Sequence, residues 1–492
     1  MDKWPQELYD RVIFFCLKRI HASNPAFLAL ATVSRKFQNS VESHSFRRLL
    51  ITATESKLNE LERILTPRRR NFLRQLSLKM TLPPYSSKYF TEFETDQDRR
   101  ANNEVITAAL KRVFYLISTL YGQDADMEPI LVLNILGASS PSDKGVRLFL
   151  PKVPADYRYQ VRLDLNEQRY NFSLLDLTSD VSDFPLLPCV REFTISDGRR
   201  NWSPRVAMLL STKMTKAESI SWHLDRREDS WGRYYSMDRT YRDELVKSIT
   251  SADLPSSTKK FLCHIVPPWT ENRQKLLSQF IAPGDQDPVS RALQHLTRSC
   301  LTVHIIAPIH HTFYNSLADM EDDVGQWKNV KTLKATVYMQ NPSGKWLFKL
   351  GNGFIEDQDS LITLDHLPPG YGNTNEELEE REKFYYQHMV QPGRRDDPER
   401  VIPDDIELNS LFTAFARACC RLPVLREAPV EVGCLAPGTP FPRGKQMHSH
   451  NKNSWRVYFY LHQWRPSETT IEELKMIGRI RDGCDPVFLW GE

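Results

Sequence analysis

The first 50 residues carry apolar positions at helical spacing, interrupted by residues that favour helix starts. Pro5 is one such residue, because proline is favoured at the first helical position, where its missing N–H costs nothing. The apolar pattern then runs to about Ile20. Pro25, directly after Asn24, begins a second helix, and Ser34 is placed to cap a third. The pattern predicts three short helices.

The first predicted helix is apolar on two adjacent faces rather than along one stripe. One face carries Leu8, Val12, Phe15 and Cys16, and the neighbouring face carries Tyr9, Ile13, Leu17 and Ile20. Three short helices in about 45 residues cannot bury that much apolar surface among themselves. A helix with two apolar faces needs a second partner, which is either the rest of the chain or another protein.

From residue 49 onward, apolar runs typical of strands alternate with helix patterns. The predicted strands are Leu49–Ile51, Leu73–Leu78, Ile130–Leu136, Val190–Ile195, Ser219–Trp222, Lys260–Ile265, Leu301–Ile306 and Lys331–Val337. The predicted helices are Ala101–Leu120, Ser203–Ser211, Asp243–Ser251 and Pro288–Arg298. Units repeating every ~25–45 residues indicate an irregular, leucine-rich-repeat-like α/β solenoid whose strands line one face. A compact doubly wound α/β domain is the alternative.

The last third of the chain divides into two parts. Residues 340–404 are polar and rich in glycine and proline clusters, which is typical of a long loop. A final α/β segment follows, with predicted elements at Leu408–Leu422, Val457–Leu461, Ile471–Ile480 and Val487–Trp490. We therefore expect a helical domain at 1–48, a solenoid at 49–339, a loop-rich insertion at 340–404, and a segment at 405–492 that completes the solenoid.

Composition and charge narrow the class of protein. The formal net charge of the 492 residues is only +3, so nothing marks a nucleic-acid or membrane binder. No apolar run approaches the ~18 residues that span a bilayer, and the N-terminus does not look like a signal peptide. Eight cysteines lack metal or redox spacing. We expect an intracellular protein of the cytoplasm or nucleus, with reduced thiols.

Catalytic patterns do not emerge from the sequence. The chain contains no Walker A segment, no HExxH and no GxSxG. His448 and His450 could face one metal ion, but no third ligand is evident nearby. Cys419 and Cys420 lie on an apolar helix, where burial is the simpler explanation. We expect no enzyme activity, no metal and no cofactor.

Five tryptophans lie near predicted strand ends: Trp202, Trp222, Trp231, Trp269 and Trp327. Exposed aromatic side chains at such positions could anchor a protein ligand, because they dominate interface hot spots. Packing in the core is the alternative for each of them.

The N-terminal helices resemble an F-box. The opening Leu-Pro-x-Glu-Ile of that motif is similar to the run Trp4–Leu8, and its Ile-Leu pair is similar to Val12-Ile13. Its later Ala-Leu-Val-Cys-Arg-Arg-Trp segment looks like Ala31–Phe37, and its closing Trp-Arg-Arg-Leu resembles Phe46–Leu49. Trp4 and Phe37 differ from the motif but keep its apolar character.

The remainder of the chain is similar to an F-box-like family of filamentous fungi. The resemblance lies in Ala101–Asn103, Pro342–Trp346, Leu411–Leu425 and Val487–Trp490. These are packing and turn residues, so they say little about chemistry.

The resemblance implies a substrate-receptor subunit of a cullin-RING (SCF-type) ubiquitin ligase. A Skp-type adaptor, which links such receptors to a cullin, would contact Pro5, Leu8, Ile13, Val33 and Phe37. The solenoid would bind a protein substrate whose identity is unknown. The alternative is a non-catalytic interaction scaffold in which the F-box-like helices only cap the solenoid.

Overall fold

Helices and strands alternate along the chain, and the longest sheet follows chain order. The computed structural model describes residues 4–17, 25–89, 94–122, 128, 130–144, 169–170, 173–179, 181–196, 198, 200–225, 235–251, 253–266, 281, 285–315, 327–338, 341–350, 400–428, 430–433, 456–459 and 464–490. The helices are α1 Gln6–Leu17, α2 Pro25–Ala29, α3 Arg35–Ser45, α4 Glu55–Ile64, α5 Pro67–Arg70, α6 Asp96–Tyr121, α7 Pro204–Thr212, α8 Tyr235–Thr250, α9 Pro288–Leu296, α10 Thr312–Asn315, α11 Asp405–Arg421 and α12 Glu468–Asp482. The strands are β1 Arg48–Thr52, β2 Gln75–Thr81, β3 Leu131–Ser139, β4 Val190–Ser196, β5 Ser219–Asp225, β6 Lys260–Val266, β7 Thr302–Ala307, β8 Thr332–Tyr338, β9 Phe348–Leu350, β10 Arg400–Pro403, β11 Val430–Gly433, β12 Arg456–Phe459 and β13 Val487–Trp490.

The N-terminal residues form the three predicted helices. Ser34 has an extended backbone, and its hydroxyl accepts a hydrogen bond from the backbone N–H of Phe37, which caps α3. Ile13, Phe27 and Val41 come together in a small core that is separate from the main one. The three helices therefore bury apolar side chains of their own.

Nine strands form one parallel sheet. Their order is β1-β2-β3-β4-β5-β6-β7-β8-β11, and every neighbouring pair is parallel. Eight of these strands match those predicted between residues 49 and 339. The order does not reverse from β1 to β8, whereas a doubly wound sheet reverses at its switch point. The fold is thus α/β with a large parallel sheet.

Buried and half-exposed side chains alternate along the strands of this sheet. In β6, Phe261 and Cys263 are buried, while Leu262 and His264 on the opposite face are only half-buried. Strands β2, β3, β7 and β8 show the same alternation. Side chains of α6, α7, α9 and α11 join the buried face in the main core. If both faces of the sheet were covered, the side chains at consecutive positions of each strand would all be buried.

The described strands that follow β8 belong to three sheets. Strand β11 extends the main sheet beside β8. Strands β12 and β13, however, pair with each other in a separate two-stranded sheet. The 340–404 region contributes β9 and β10, which pair in antiparallel fashion, and residues 351–399 between them lie outside the described residues.

Three of the five tryptophans near strand ends belong to the core. Trp202, Trp222 and Trp327 are fully buried. Each indole N–H donates to an internal acceptor, for example from Trp222 Nε1 to Ser211 Oγ at 3.0 Å. The suggestion that these three anchor a ligand is therefore wrong, because their rings are not accessible. Trp231 and Trp269 lie outside the described residues.

No helix in the part of the chain that the structure describes is long and apolar enough to cross a membrane.

Candidate functional site

Exposed apolar side chains are prominent on helix α1. Leu8, Val12 and Phe15 are 41%, 40% and 62% exposed. Their spacing of four and three residues places them along one side of the helix. We call these three residues the α1 stripe. Trp4, Phe14, Leu28 and Val33 are further exposed apolar side chains of the same three helices.

The opposite side of α1 packs inward. Ile13 is completely buried against Phe27 and Val41, and Tyr9 is nearly so. The ring of Tyr9 meets the half-buried ring of Phe37 edge-on, with centroids 4.9 Å apart. Helix α1 is therefore divided between a buried face and an exposed one.

The five residues expected to contact an adaptor do not share one environment. Pro5, Leu8 and Val33 are exposed. Phe37 is half-buried, and Ile13 lies in the small core. Ile13 was expected to contact the adaptor, and this expectation is corrected because its side chain is buried with Phe27 and Val41. Positions five apart on a helix point about 140° away from each other, so Leu8 and Ile13 lie on different sides of α1. Leu8 and Ile13 cannot both lie on one docking surface.

Polar contacts fix α1 against α3. The Gln6 amide donates to Ser40 Oγ at 2.6 Å, and Ser40 Oγ lies 2.6 Å from Asp10 Oδ1. Lys36 Nζ also reaches the backbone oxygen of Trp4 at 2.5 Å. These contacts and the small core hold the exposed stripe on a rigid support, which is what a docking surface requires.

A second set of contacts joins α3 to the start of the sheet. The buried carboxylate of Glu42 forms ion pairs with Arg68 and Arg69, the latter at 2.8 Å. Burial alone would raise the pKa of Glu42, but hydrogen bonds from Arg69, Gln38 and Arg68 outweigh burial and hold it below its ordinary value. The basic run at 68–70 thus connects elements, since Arg70 also donates to the Leu120 carbonyl.

The half-exposed side of the nine-stranded sheet is a second candidate surface. We call it the open face, and one of its rows runs through Leu50, Ser77, Asn134, Thr194, Ser221, Leu262, His304 and Lys334. Aromatic groups gather at its β5–β8 side. The rings of His223 and His264 lie 5.9 Å apart, and His264 Nε2 is 3.2 Å from the Tyr338 hydroxyl.

A buried polar network lies beyond the ends of β2, β3 and β4. Glu94 and Arg200 are both fully buried and form an ion pair of 2.6 Å. Asp143 accepts hydrogen bonds from the hydroxyls of Tyr85 and Tyr170, at 2.7 and 3.1 Å. Burial, together with the Asp143 charge, raises the pKa of both tyrosines, so they stay protonated. The network thus connects the loops beyond these strand ends.

Several cysteines of the described residues are buried. Burial raises the pKa of Cys189 and Cys300 to about 12, so their thiols are protonated and poor nucleophiles. Cys419 is buried on α11, as its apolar helix indicated. No cluster of three potential metal ligands occurs among these residues. His448 and His450 lie outside them.

Comparisons with protein-family models, with curated proteins and with solved structures found no match for this chain.

Proposed function

We propose that the chain is an F-box-type substrate receptor of a cullin-RING ubiquitin ligase. Its N-terminal helices would bind a Skp-type adaptor, and the sheet region would bind a protein substrate. The observation that carries the proposal is the α1 stripe, a row of exposed apolar side chains on a helix whose other side already forms a core. Such a surface on a soluble protein is characteristic of a protein interface.

The sequence resemblance and the exposed stripe agree on part of the surface. Leu8 and Val33 fall at F-box positions and are also exposed. The residues that bury Ile13 are Phe27 and Val41, which belong to the same helical unit. The small core therefore forms within the helical unit, and the residues of the α1 stripe stay 40–62% exposed, which supports docking over a purely capping role.

The shape of the sheet supports a receptor with a solenoid body. Strands follow chain order, and helices pack on one face. Solenoids of this kind present their uncovered strand face as an extended binding surface. On this view, specificity depends on surface complementarity, and ubiquitin transfer is carried out by other subunits.

The test is binding of a purified Skp-type adaptor to the full chain by calorimetry. We expect measurable binding that Val12→Asp weakens about 100-fold, because the change loses apolar burial and places a carboxylate in the interface. Val105→Asp on α6 is the matched control. Val105 has the same residue type and the same 40% exposure in a helix outside the unit.

Three outcomes distinguish the alternatives. Loss in Val12→Asp with retention in Val105→Asp supports the docking surface. Equal loss in both variants, or absence of binding by the wild type, overturns it. Absence of binding would favour the scaffold alternative, in which the Glu42 contacts with Arg68 and Arg69 fix the helices as a cap on the sheet. Circular dichroism of each variant verifies that it is folded.

A further inference from the structure

Strand β1 forms one edge of the nine-stranded sheet. It pairs with β2 on one side, and no other strand of the described chain lies on its opposite side. The Arg47 carbonyl accepts a hydrogen bond from the Gln75 N–H at 3.0 Å, and the Ala53 N–H donates to the Lys79 carbonyl at 2.9 Å. Because the backbone groups of alternate residues in a strand point the same way, those of the odd-numbered residues from 47 to 53 face β2.

The backbone groups of the even-numbered residues of β1 therefore point outward, away from β2. These are the N–H and C=O groups of Arg48 and Leu50 and the N–H of Thr52, and none of them has a hydrogen-bond partner in the described part of the chain. The Thr52 carbonyl accepts from the Thr54 N–H at 2.8 Å. An unpaired strand edge of this kind is a template for a further strand.

Apolar side chains accompany this unpaired edge. Leu50 is 70% exposed on the open face, while Leu49 and Ile51 point to the opposite face and are half-buried against the main core. An added strand would therefore cover apolar surface on both faces of β1. The strand contains no proline, pairs with β2 without a bulge, and carries its one charged residue, Arg48, at its start, so the rest of its edge is open to pairing.

The size of the edge favours a single extended segment over a second copy of the chain. Strand β1 has five residues, which span about 17 Å. Stable protein interfaces bury roughly 1,200–2,000 Å² in total, and an edge this short does not provide that area by itself. Short peptides, in contrast, bind by adding one strand to the edge of a sheet.

We propose that the outer edge of β1 binds an extended, apolar segment of the protein substrate by strand addition. The inference rests on the proposed function, because it states how the receptor would bind its substrate. The segment would form backbone hydrogen bonds with Arg48, Leu50 and Thr52, and its side chains would contact Leu49 and Ile51. Main-chain pairing provides affinity in such complexes, and the side chains provide specificity.

The position of this edge fits a receptor. Phe46 and Arg47 are the two residues that separate α3 from β1. A segment bound at β1 would therefore lie next to the helical unit that is proposed to bind the adaptor.

Binding of a designed peptide to the full chain tests the inference. The probe is a fluorescent Ser-Thr-Val-Ile-Val-Thr-Ser, whose central residues favour an extended conformation. The control peptide has the same side chains but carries N-methyl groups on its central amides, which removes the backbone donors. In fluorescence anisotropy, we expect the methylated peptide to bind at least ~10-fold more weakly. Equal binding of the two peptides, or absence of binding by the first, overturns the inference.

Leu50→Pro locates the site on β1. Proline is tolerated on an edge strand where the N–H faces solvent, and the Leu50 N–H has no partner in the described chain, so the variant should fold. We expect it to weaken peptide binding at least ~10-fold, because it removes an outward-facing donor and part of the apolar contact. Leu50→Ala is the matched control, since it shortens the side chain but keeps the N–H, and it should weaken binding less.

Equal weakening by the two variants, or unchanged binding by Leu50→Pro, overturns strand addition. Circular dichroism verifies the fold of each variant, and the methylated peptide tests the backbone pairing on the unaltered chain. Sedimentation velocity without peptide tests a second copy as the occupant. We expect a monomer, and a dimer that Leu50→Pro dissociates would assign the edge to a second copy and overturn the inference.

Adaptor binding separates this inference from the proposed function. Leu50 lies in the sheet, outside the three N-terminal helices, so Leu50→Pro should leave adaptor binding unchanged. A chain that binds the adaptor but not the peptide disproves only strand addition. A chain that binds the peptide but not the adaptor disproves the receptor role, and a chain that binds neither disproves both.

Discussion

Glu42 is the residue whose replacement should loosen the N-terminal helices from the sheet. Its buried carboxylate is contacted by Arg69 at 2.8 Å and by Arg68. A hydrogen bond to a charged group contributes ~1.5–3 kcal/mol. The Arg69 side chain is 29% exposed and keeps much of that, whereas Arg68, at 47%, is weakened by solvent. We expect Glu42→Gln to cost about 2 kcal/mol of unfolding free energy at this junction.

Hydrogen–deuterium exchange measures the effect where it should occur. We expect amides of α1 to α3 to lose protection in Glu42→Gln, while amides of β3 to β7 keep theirs, because the main core is independent of the small one. Glu60→Gln is the control, since Glu60 forms an exposed ion pair with Lys57 at 2.8 Å. Because both partners of that pair are exposed to solvent, the variant should keep the exchange pattern of the wild type.

The pH dependence of this junction has a definite sign. Hydrogen bonds hold the pKa of Glu42 below its ordinary 4.5, so the folded chain binds fewer protons than the unfolded chain near that pH. The stabilisation is present above about pH 4.5 and disappears as the pH falls through the folded-state pKa. Glu42→Gln should abolish this acid-sensitive part. Unchanged exchange in Glu42→Gln, or an equal change in Glu60→Gln, would show that the ion pairs do not hold the junction.

Two further buried groups give measurable effects. Glu94→Gln should lower the free energy of unfolding by about 3–5 kcal/mol in thermal unfolding, because it leaves the buried Arg200 without its carboxylate. Adding Arg200→Met should recover part of the loss. A loss below about 1 kcal/mol in Glu94→Gln would contradict the reasoning. Burial, with the neighbouring His311, lowers the pKa of His310 from 6.5 to about 4, so the folded chain binds fewer protons between these values. The free energy of unfolding should therefore rise by at most about 3 kcal/mol from pH 4 to 6.5 because of this group. Chemical denaturation of His310→Gln should show a smaller rise over the same range. An equal rise in the variant and the wild type would refute the role of His310.

The strands of the main sheet were predictable because each carries a local signal. Runs such as Val190–Ile195 and Lys260–Ile265 combine β-branched and aromatic residues with a buried alternate position. Helix α4 was not predicted, although Leu58, Leu61 and Leu65 repeat at helical spacing and would have indicated it. For the strands and for α4, the local pattern of apolar residues contains enough information to predict the element.

Pairings between distant segments could not be predicted in the same way. Strand β11 is four residues long and contains glycine, so its place beside β8 depends on tertiary contacts. Glu94 and Arg200 are far apart in sequence, and nothing around either residue identifies its partner. The separate pairing of β12 with β13 likewise depends on contacts that the local sequence does not encode.

Helix α1 shows what the sequence leaves open at the candidate site. Its two apolar faces required two partners, and the structure buries Ile13 in the small core and Tyr9 beside Phe37. Leu8, Val12 and Phe15 lie on the other side of the helix and are 41%, 40% and 62% exposed. Complete burial of a Val, Leu or Phe side chain contributes roughly 1.5–3 kcal/mol, so the exposed parts of these three side chains leave some of that stabilisation unrealised. A partner that covers the α1 stripe would recover that stabilisation, and this is the physical reason to seek it first at this helix.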